Sequence, residues 1–465
     1  MKLAFGVGAV ASGVKTSAFD YFLLLFYSQV VGLDARLVGF AILVALVFDA
    51  ISDPLVGYWS DNLRSRWGRR HPFMYISAIP VALSFFLLWN PPADASQHVL
   101  FWYLLVLAVT IRTAITFFET PSSALVPELT KDYDERTSLF SLRVFFGWFG
   151  GNVMSVMMFF LLFPLLASEA FPDGRFNPDA YQVYGIVGSL VIFVAILVCA
   201  LGTHSNIAHL EPAPPARQMT LKRIFGEIFE TLSERSFVAL FASALLGAVA
   251  SGVAASLSYY FLTYFWSFSE IQTGVILLGT FVAAGIGLVL APIVSRTIGK
   301  KRGAMIVGLI AFVGSPMPIV LRLIGVLPEN GEPFVFWFVL ITNIVDIGLI
   351  ICFQILFFSM VADLVEQSEV KTGRRSEGVF TATVTFIRKS VQGLGVLTAS
   401  FVLALAAFPV GGDTSDVSET AIWRLGALYV PTVLILWLAM IAAISAYKID
   451  RTSHEINLEK LRTRP

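Results

Sequence analysis

The chain has 465 residues and no net charge, its 32 Lys and Arg matching 32 Asp and Glu. Hydrophobic residues make up 57% and charged ones only 14%, where a soluble domain carries about 25% charged. That excludes a soluble globular protein, and with only Cys199 and Cys352, both in apolar runs, it excludes a disulfide scaffold.

A helix needs about 20 mostly apolar residues to cross the hydrocarbon core. The runs predict twelve spans, at roughly 10–32, 36–59, 72–89, 98–124, 138–163, 181–203, 236–265, 271–295, 303–326, 333–362, 378–408 and 424–447. Runs of this length are not the ~10-residue alternation of a β-barrel, and the first is too long for a signal peptide. The expected fold class is therefore an all-α membrane protein of twelve transmembrane helices.

Positive charge gathers on the loops after spans 2, 4, 6, 8 and 10, including Arg64, Lys131, Lys222, Lys300 and Arg374. The opposite loops are acidic or neutral, with Asp34, Asp94, Asp173, Glu270 and Glu329. The positive-inside rule then puts both termini in the cytoplasm of a multi-pass plasma-membrane protein, of bacterial inner-membrane type.

The longest loop, 204–235, separates a six-span bundle at 1–203 from another at 236–447, with a charged tail at 448–465. The halves echo each other. Gly57-Tyr-Trp-Ser-Asp61 with Gly68-Arg-Arg returns as Ala291-Pro-Ile-Val-Ser295 with Gly299-Lys-Lys-Arg302, and Pro127-Glu128-Leu as Ala362-Asp363-Leu. The offsets, 57 to 291 and 128 to 363, differ by one residue. Two pseudo-symmetric six-helix bundles around a central site are the plan of major facilitator transporters.

Charge inside a bilayer is costly and marks function by default. Asp49 and Asp53 are four residues apart on one face of span 2, a hard-oxygen pair suited to Na⁺ or to a proton. Span 1 adds Lys15, Thr16 and Asp20, and span 4 adds Arg112, Thr113, Thr116 and Glu119. Arg143 lies in span 5, Asp346 in span 10, and Arg388 and Lys389 in span 11. These acids and bases can meet only in a central cavity. After span 2, Asp61 and Arg64, Arg66, Gly68, Arg69 and Arg70 read as a cytoplasmic latch, Asp61 pairing with arginines of a neighbouring loop. Glu128 and Asp363 read as its partners. Trp89 and Trp102 are expected in the interfacial belt and Trp148, among glycines, beside the cavity.

The motifs F-D-A-I-S-D-P-L-V-G (48–57) and S-R-W-G-R-R-H-P-F (65–73), with E-T-P-S-S-A-L-V-P (119–127) and M-V-A-D-L-V-E (360–366), resemble the glycoside–pentoside–hexuronide:cation symporters. The melibiose permease is their type member. The resemblance implies a cation site of Asp49, Asp53 and Thr116, with Lys389 nearby. It also implies a sugar site that includes Lys15, Glu119 and Arg143. Three places depart from the family pattern: Thr16 stands where an acid follows the lysine, with Asp20 one turn later, Ser123 replaces a sugar-stacking Trp, and Glu119 replaces an Asp of span 4.

The expectation is a secondary active transporter that moves a small polar solute, a sugar or glycoside, with Na⁺ or H⁺, using no cofactor beyond that ion. It would work as a monomer in the bilayer without nucleic-acid partners. An exporter or a carrier of amphiphiles is the alternative within transport. A membrane sensor would need a soluble output domain, and an enzyme a His, Ser or Cys constellation, for which no motif appears.

Overall fold

The computed structural model describes residues 1–130, 133–209, 235–372, 391, 393–411 and 417–447; the side chains of 127–128, 131–134, 136–137, 208–209, 235–237 and 362–372 are outside the description. The described residues form helices and no strand. Eleven helical segments are long and apolar enough to cross a membrane, from Lys2–Val30 to Glu419–Ser445. Gly393–Leu405 is a shorter apolar helix at the place expected for span 11, the rest of which lies outside the described residues. This is the all-α major facilitator architecture expected above.

Most boundaries fall within a few residues of expectation. Span 1 is the exception, beginning at Lys2. Its first turns, K-L-A-F-G-V-G, look broken by Gly6 and Gly8, yet Phe5 and Gly6 are buried against span 5. Glycine weakens an isolated helix, but in a bundle it lets two backbones close. At Gly13 that closure is tight: a Cβ there would fall on the Gly147 carbonyl of span 5. We expect Gly13→Val to abolish accumulation of folded protein. Overpacking costs about 1–3 kcal/mol even where side chains can yield, and here the obstacle is backbone. Membrane yield and monodispersity after extraction check it.

Within the first half, span 1 packs on spans 5 and 6, span 2 on span 4, and span 3 on spans 4 and 6. In the second, span 10 packs on spans 8 and 9, and span 12 on spans 7 and 9. The Gly68 and Gly299 echo has a structural counterpart: both take left-handed backbone, φ +73° and +84°, at the turn leaving spans 2 and 8. Only glycine adopts that without strain.

Hydrogen bonds that tie the halves together gather at the span ends far from the termini, called distal here. Gly411 N–H donates to the Ser28 carbonyl (2.9 Å), Gln29 Nε2 to the Pro409 carbonyl (3.1 Å) and Arg175 Nη1 to Thr263 Oγ1 (2.9 Å). Rings add to the seam, with Tyr259 of span 7 against Phe22 at 4.9 Å and Phe159 at 5.0 Å between centroids.

Trp89 corrects a sequence reading. It is 1% exposed, stacked on Tyr181 and edge-on to Tyr184, not in an interfacial belt. Trp102 is 49% exposed, as a belt residue would be. Trp148 is half-exposed and meets Phe281 of span 8 edge-on at 4.8 Å, which puts it on the seam between halves.

Candidate functional site

Span 2 runs unbroken as helix from Ala35 to Asn62 through Pro54, keeping Asp49 and Asp53 on one face toward span 4. Asp49 is fully buried and Asp53 half-buried. Between them stands Thr116 of span 4. Its Oγ1 lies 3.0 Å from Asp49 Oδ1, 3.0 Å from Asp53 Oδ1 and 3.0 Å from the Arg112 carbonyl. A hydroxyl owns one hydrogen, so it can donate to only one of these three acceptors. The other oxygens then face each other lone pair to lone pair. Such a cluster is relieved by a monovalent cation or by a proton on one carboxyl.

Arg112, read in the sequence only as one more charge in span 4, is the residue that completes this group. Its Nη1 sits 3.3 Å from Asp49 Oδ2, and both side chains are nearly excluded from solvent at 7% and 0%. Its guanidinium also lies over the Phe19 ring of span 1 at 4.7 Å. An arginine four residues before Thr116 and seven before Glu119 gives no signal that it turns to span 2. The pair becomes visible only when spans 2 and 4 are packed.

The span 1 and span 4 residues expected to hold solute also meet. Lys15 Nζ is 3.2 Å from Glu119 Oε1, with side chains 6% and 16% exposed. Arg143 docks on span 4 beside Pro121. Its Nη1 donates to Ser122 Oγ (3.0 Å) and its Nη2 to the Glu119 carbonyl (3.3 Å). Pro121 is the local cause. A proline inside a helix has no N–H and distorts the turn before it. Around it the Ser122 and Ser123 hydroxyls also donate to the Glu119 carbonyl, at 3.2 and 2.7 Å. Thr16 is exposed, and Asp20 is half-buried in a π-turn, Ala18–Phe22, a wide turn often found at functional sites. Lys389 lies outside the described residues.

In the loop after span 2, Asp61 pairs with Arg70 of the same loop at 3.4 Å. The left-handed turn at Gly68 folds the segment back, and Ser65 Oγ donates to the Gly68 carbonyl at 2.6 Å. Arg70, 6% exposed, also reaches the Pro121 carbonyl at 3.5 Å. Arg64 and Arg66 are exposed, Arg66 over Trp67, and Arg69 is half-buried. The side chains of Glu128 and Asp363 lie outside the described residues.

Among the charges facing the first half's interior in the described residues, Lys15, Arg112 and Arg143 oppose Asp20, Asp49, Asp53 and Glu119. With every group ionised the excess is one negative charge.

The chain is similar to known transporters along nearly its whole length. An uncharacterized symporter of Synechocystis sp. is 24% identical over all of this chain and 96% of its own length. The putative glycoside/cation symporter YagG of Escherichia coli is 25% identical, over 96% of this chain and 91% of its own. Among solved structures, the nucleoside transporter NupG superposes with a TM-score of 0.61 at 12% identity, over 97% of this chain and 98% of that one, a likeness of fold. The family model described as MFS/sugar transport protein matches residues 4–451. The chain belongs to that family of major facilitator transporters, and within it to the glycoside–pentoside–hexuronide:cation symporters that its span 2 motif resembles.

Proposed function

We propose that this transporter couples Na⁺ or H⁺ to the import of a sugar or glycoside, with Asp49, Asp53 and Thr116 binding the cation and Lys15, Glu119 and Arg143 binding the solute. The observation that carries the cation half is the Thr116 hydroxyl held 3.0 Å from a carboxylate oxygen on either side. What supports a sugar is a polar, mixed-charge site beside the cation pair, together with relatives that include a glycoside/cation symporter. Loop charge supports an orientation with both termini in the cytoplasm, which makes the distal ends extracellular and their closed seam that of an inward-facing state.

Coupling follows from charge. One cation at Asp53 offsets its negative charge and frees the Lys15–Glu119 pair to rearrange around solute hydroxyls. A cation shifts the inward–outward equilibrium only by the difference in its affinity for the two states.

Ligand linkage gives the test. A ligand that binds only the folded state stabilises it by RT ln(1 + [L]/Kd), about 2.7 kcal/mol at a hundredfold Kd. We expect Na⁺, or acidification if H⁺ is the ion, to raise the melting temperature of purified protein at constant ionic strength. A screened glycoside should add to the shift only when that ion is present. A glycoside shift indifferent to both ions would refute the coupling.

A further inference from the structure

At the distal seam, two carboxylates from opposite halves flank one guanidinium. The loop between spans 5 and 6 turns through Gly174–Phe176, and all three residues are buried although the segment is a loop. Arg175, 5% exposed, grips Asp173 with Nε to Oδ1 at 2.9 Å and Nη2 to Oδ2 at 2.6 Å, while its Nη1 crosses to Thr263 Oγ1 of span 7 at 2.9 Å. From the second half, Glu270 Oε1 accepts the Gly174 N–H at 2.7 Å. Gly174 directly follows Asp173, so this bond brings the Glu270 carboxyl from the second half up beside Asp173.

The other titratable groups facing this cluster are phenols: Tyr181 of span 6, whose hydroxyl donates to the Arg175 carbonyl at 2.9 Å, and Tyr260 and Tyr264 of span 7. Phenols carry no charge near neutral pH. Arg175 is thus matched by Asp173 alone, and Glu270 brings a second negative charge to a site largely closed to water. Two adjacent carboxylates repel unless a proton joins them, and then they form a hydrogen bond. The Gly174 N–H and the first-turn position of Glu270 in span 8 favour the charged form, so that proton is exchangeable.

We propose that Asp173 and Glu270 form a proton-binding site at the extracellular seam, and that the shared proton clasps the two halves shut. Loss of the proton leaves uncompensated negative charge across the seam and opens it. Acid outside the cell then favours the inward-facing state, and alkali the outward-facing one. The inference rests on the alternating-access and orientation parts of the proposed function, and on neither the solute nor the cation at Asp53.

The experiment uses full-length protein in lipid nanodiscs without Na⁺, with spin labels at Ala93→Cys and Val326→Cys, both exposed on distal loops of opposite halves; native Cys199 and Cys352 are buried. Double electron–electron resonance should show a short distance in acid and a growing longer population as pH rises. Glu270→Gln, which keeps the bond without the charge, should hold the short distance at every pH. Arg175→Gln should lengthen it throughout. A wild-type distance that ignores pH, or a Glu270→Gln distance that still follows it, overturns the proton site. If pH has no effect while Arg175→Gln still opens the seam, alternating access stands and the proton assignment alone fails.

Discussion

Asp53→Asn abolishes accumulation of solute against its gradient and leaves the protein folded in the membrane. Asparagine keeps the shape of aspartate and an oxygen for Thr116, but removes the negative charge that would attract the cation. A hydrogen bond or ligand contact to a charged group is worth about 1.5–3 kcal/mol, and each 1.4 kcal/mol is tenfold, so cation affinity should fall roughly 10- to 150-fold. Uptake into right-side-out vesicles, with and without an imposed ion gradient, measures this. Equilibrium exchange of solute, which needs no gradient, should survive. Concentrative uptake by Asp53→Asn would show that the ion binds elsewhere.

Asp49→Asn is a harsher change for a reason the packing supplies. Asp49 is the buried partner of Arg112, and removing one member of a buried pair costs about 3–5 kcal/mol because a bare charge stays behind. We therefore expect Asp49→Asn to lower the yield of folded protein. Asp49→Asn combined with Arg112→Gln should recover yield without recovering coupling, since neither ion ligand nor counter-charge remains.

The architecture was legible because a bilayer makes length and apolarity nearly sufficient. The grouping of Asp49 and Asp53 was legible because carboxylates at i and i+4 within an apolar run share one helix face. Contacts that depend on which helix faces which were not. Arg112 carries no spacing cue toward Asp49, 63 residues away. Trp89 has a span-end position typical of an interfacial residue, and only the aromatic cluster of spans 3 and 6 explains its burial. Span 9 was read as one run at 303–326, yet its helix breaks after Gly314 and resumes at Met317, where Pro316 cannot supply an N–H to the preceding turn. Asp173, Arg175 and Glu270 read as loop charges setting orientation. They lie 97 residues apart at most and are joined only by closure of the seam. In the span 2 loop, Gly68 turns Arg70 back onto Asp61, a pairing within one loop that the charge pattern does not announce.

Glu119→Gln should cost solute affinity and spare the cation, and that split is what locates the solute site. Glu119 faces Lys15 at 3.2 Å and is the more exposed of the two, so its carboxylate is the face a solute hydroxyl meets. Exchanging it for an amide turns a charge-assisted acceptor into a neutral one, worth about 1.5 kcal/mol, and leaves Lys15 in need of another partner. Solute affinity should fall about tenfold or more. Cation-induced stabilisation should stay at the wild-type level, because Thr116, Asp49 and Asp53 form their own hydrogen-bonded group one turn away along span 4. Arg143→Ala should lose solute binding more completely. Its two N–H groups hold Ser122 and the Glu119 carbonyl, so its removal also releases the Pro121 turn on which Glu119 is mounted. Arg143→Lys can replace one of those bonds but not the fork, and should fall between the two. Calorimetric titration of each variant with solute and with ion separates the effects. Solute affinity unchanged in both Glu119→Gln and Arg143→Ala would move the solute away from spans 4 and 5, and with it the charge-sharing route that links solute to ion.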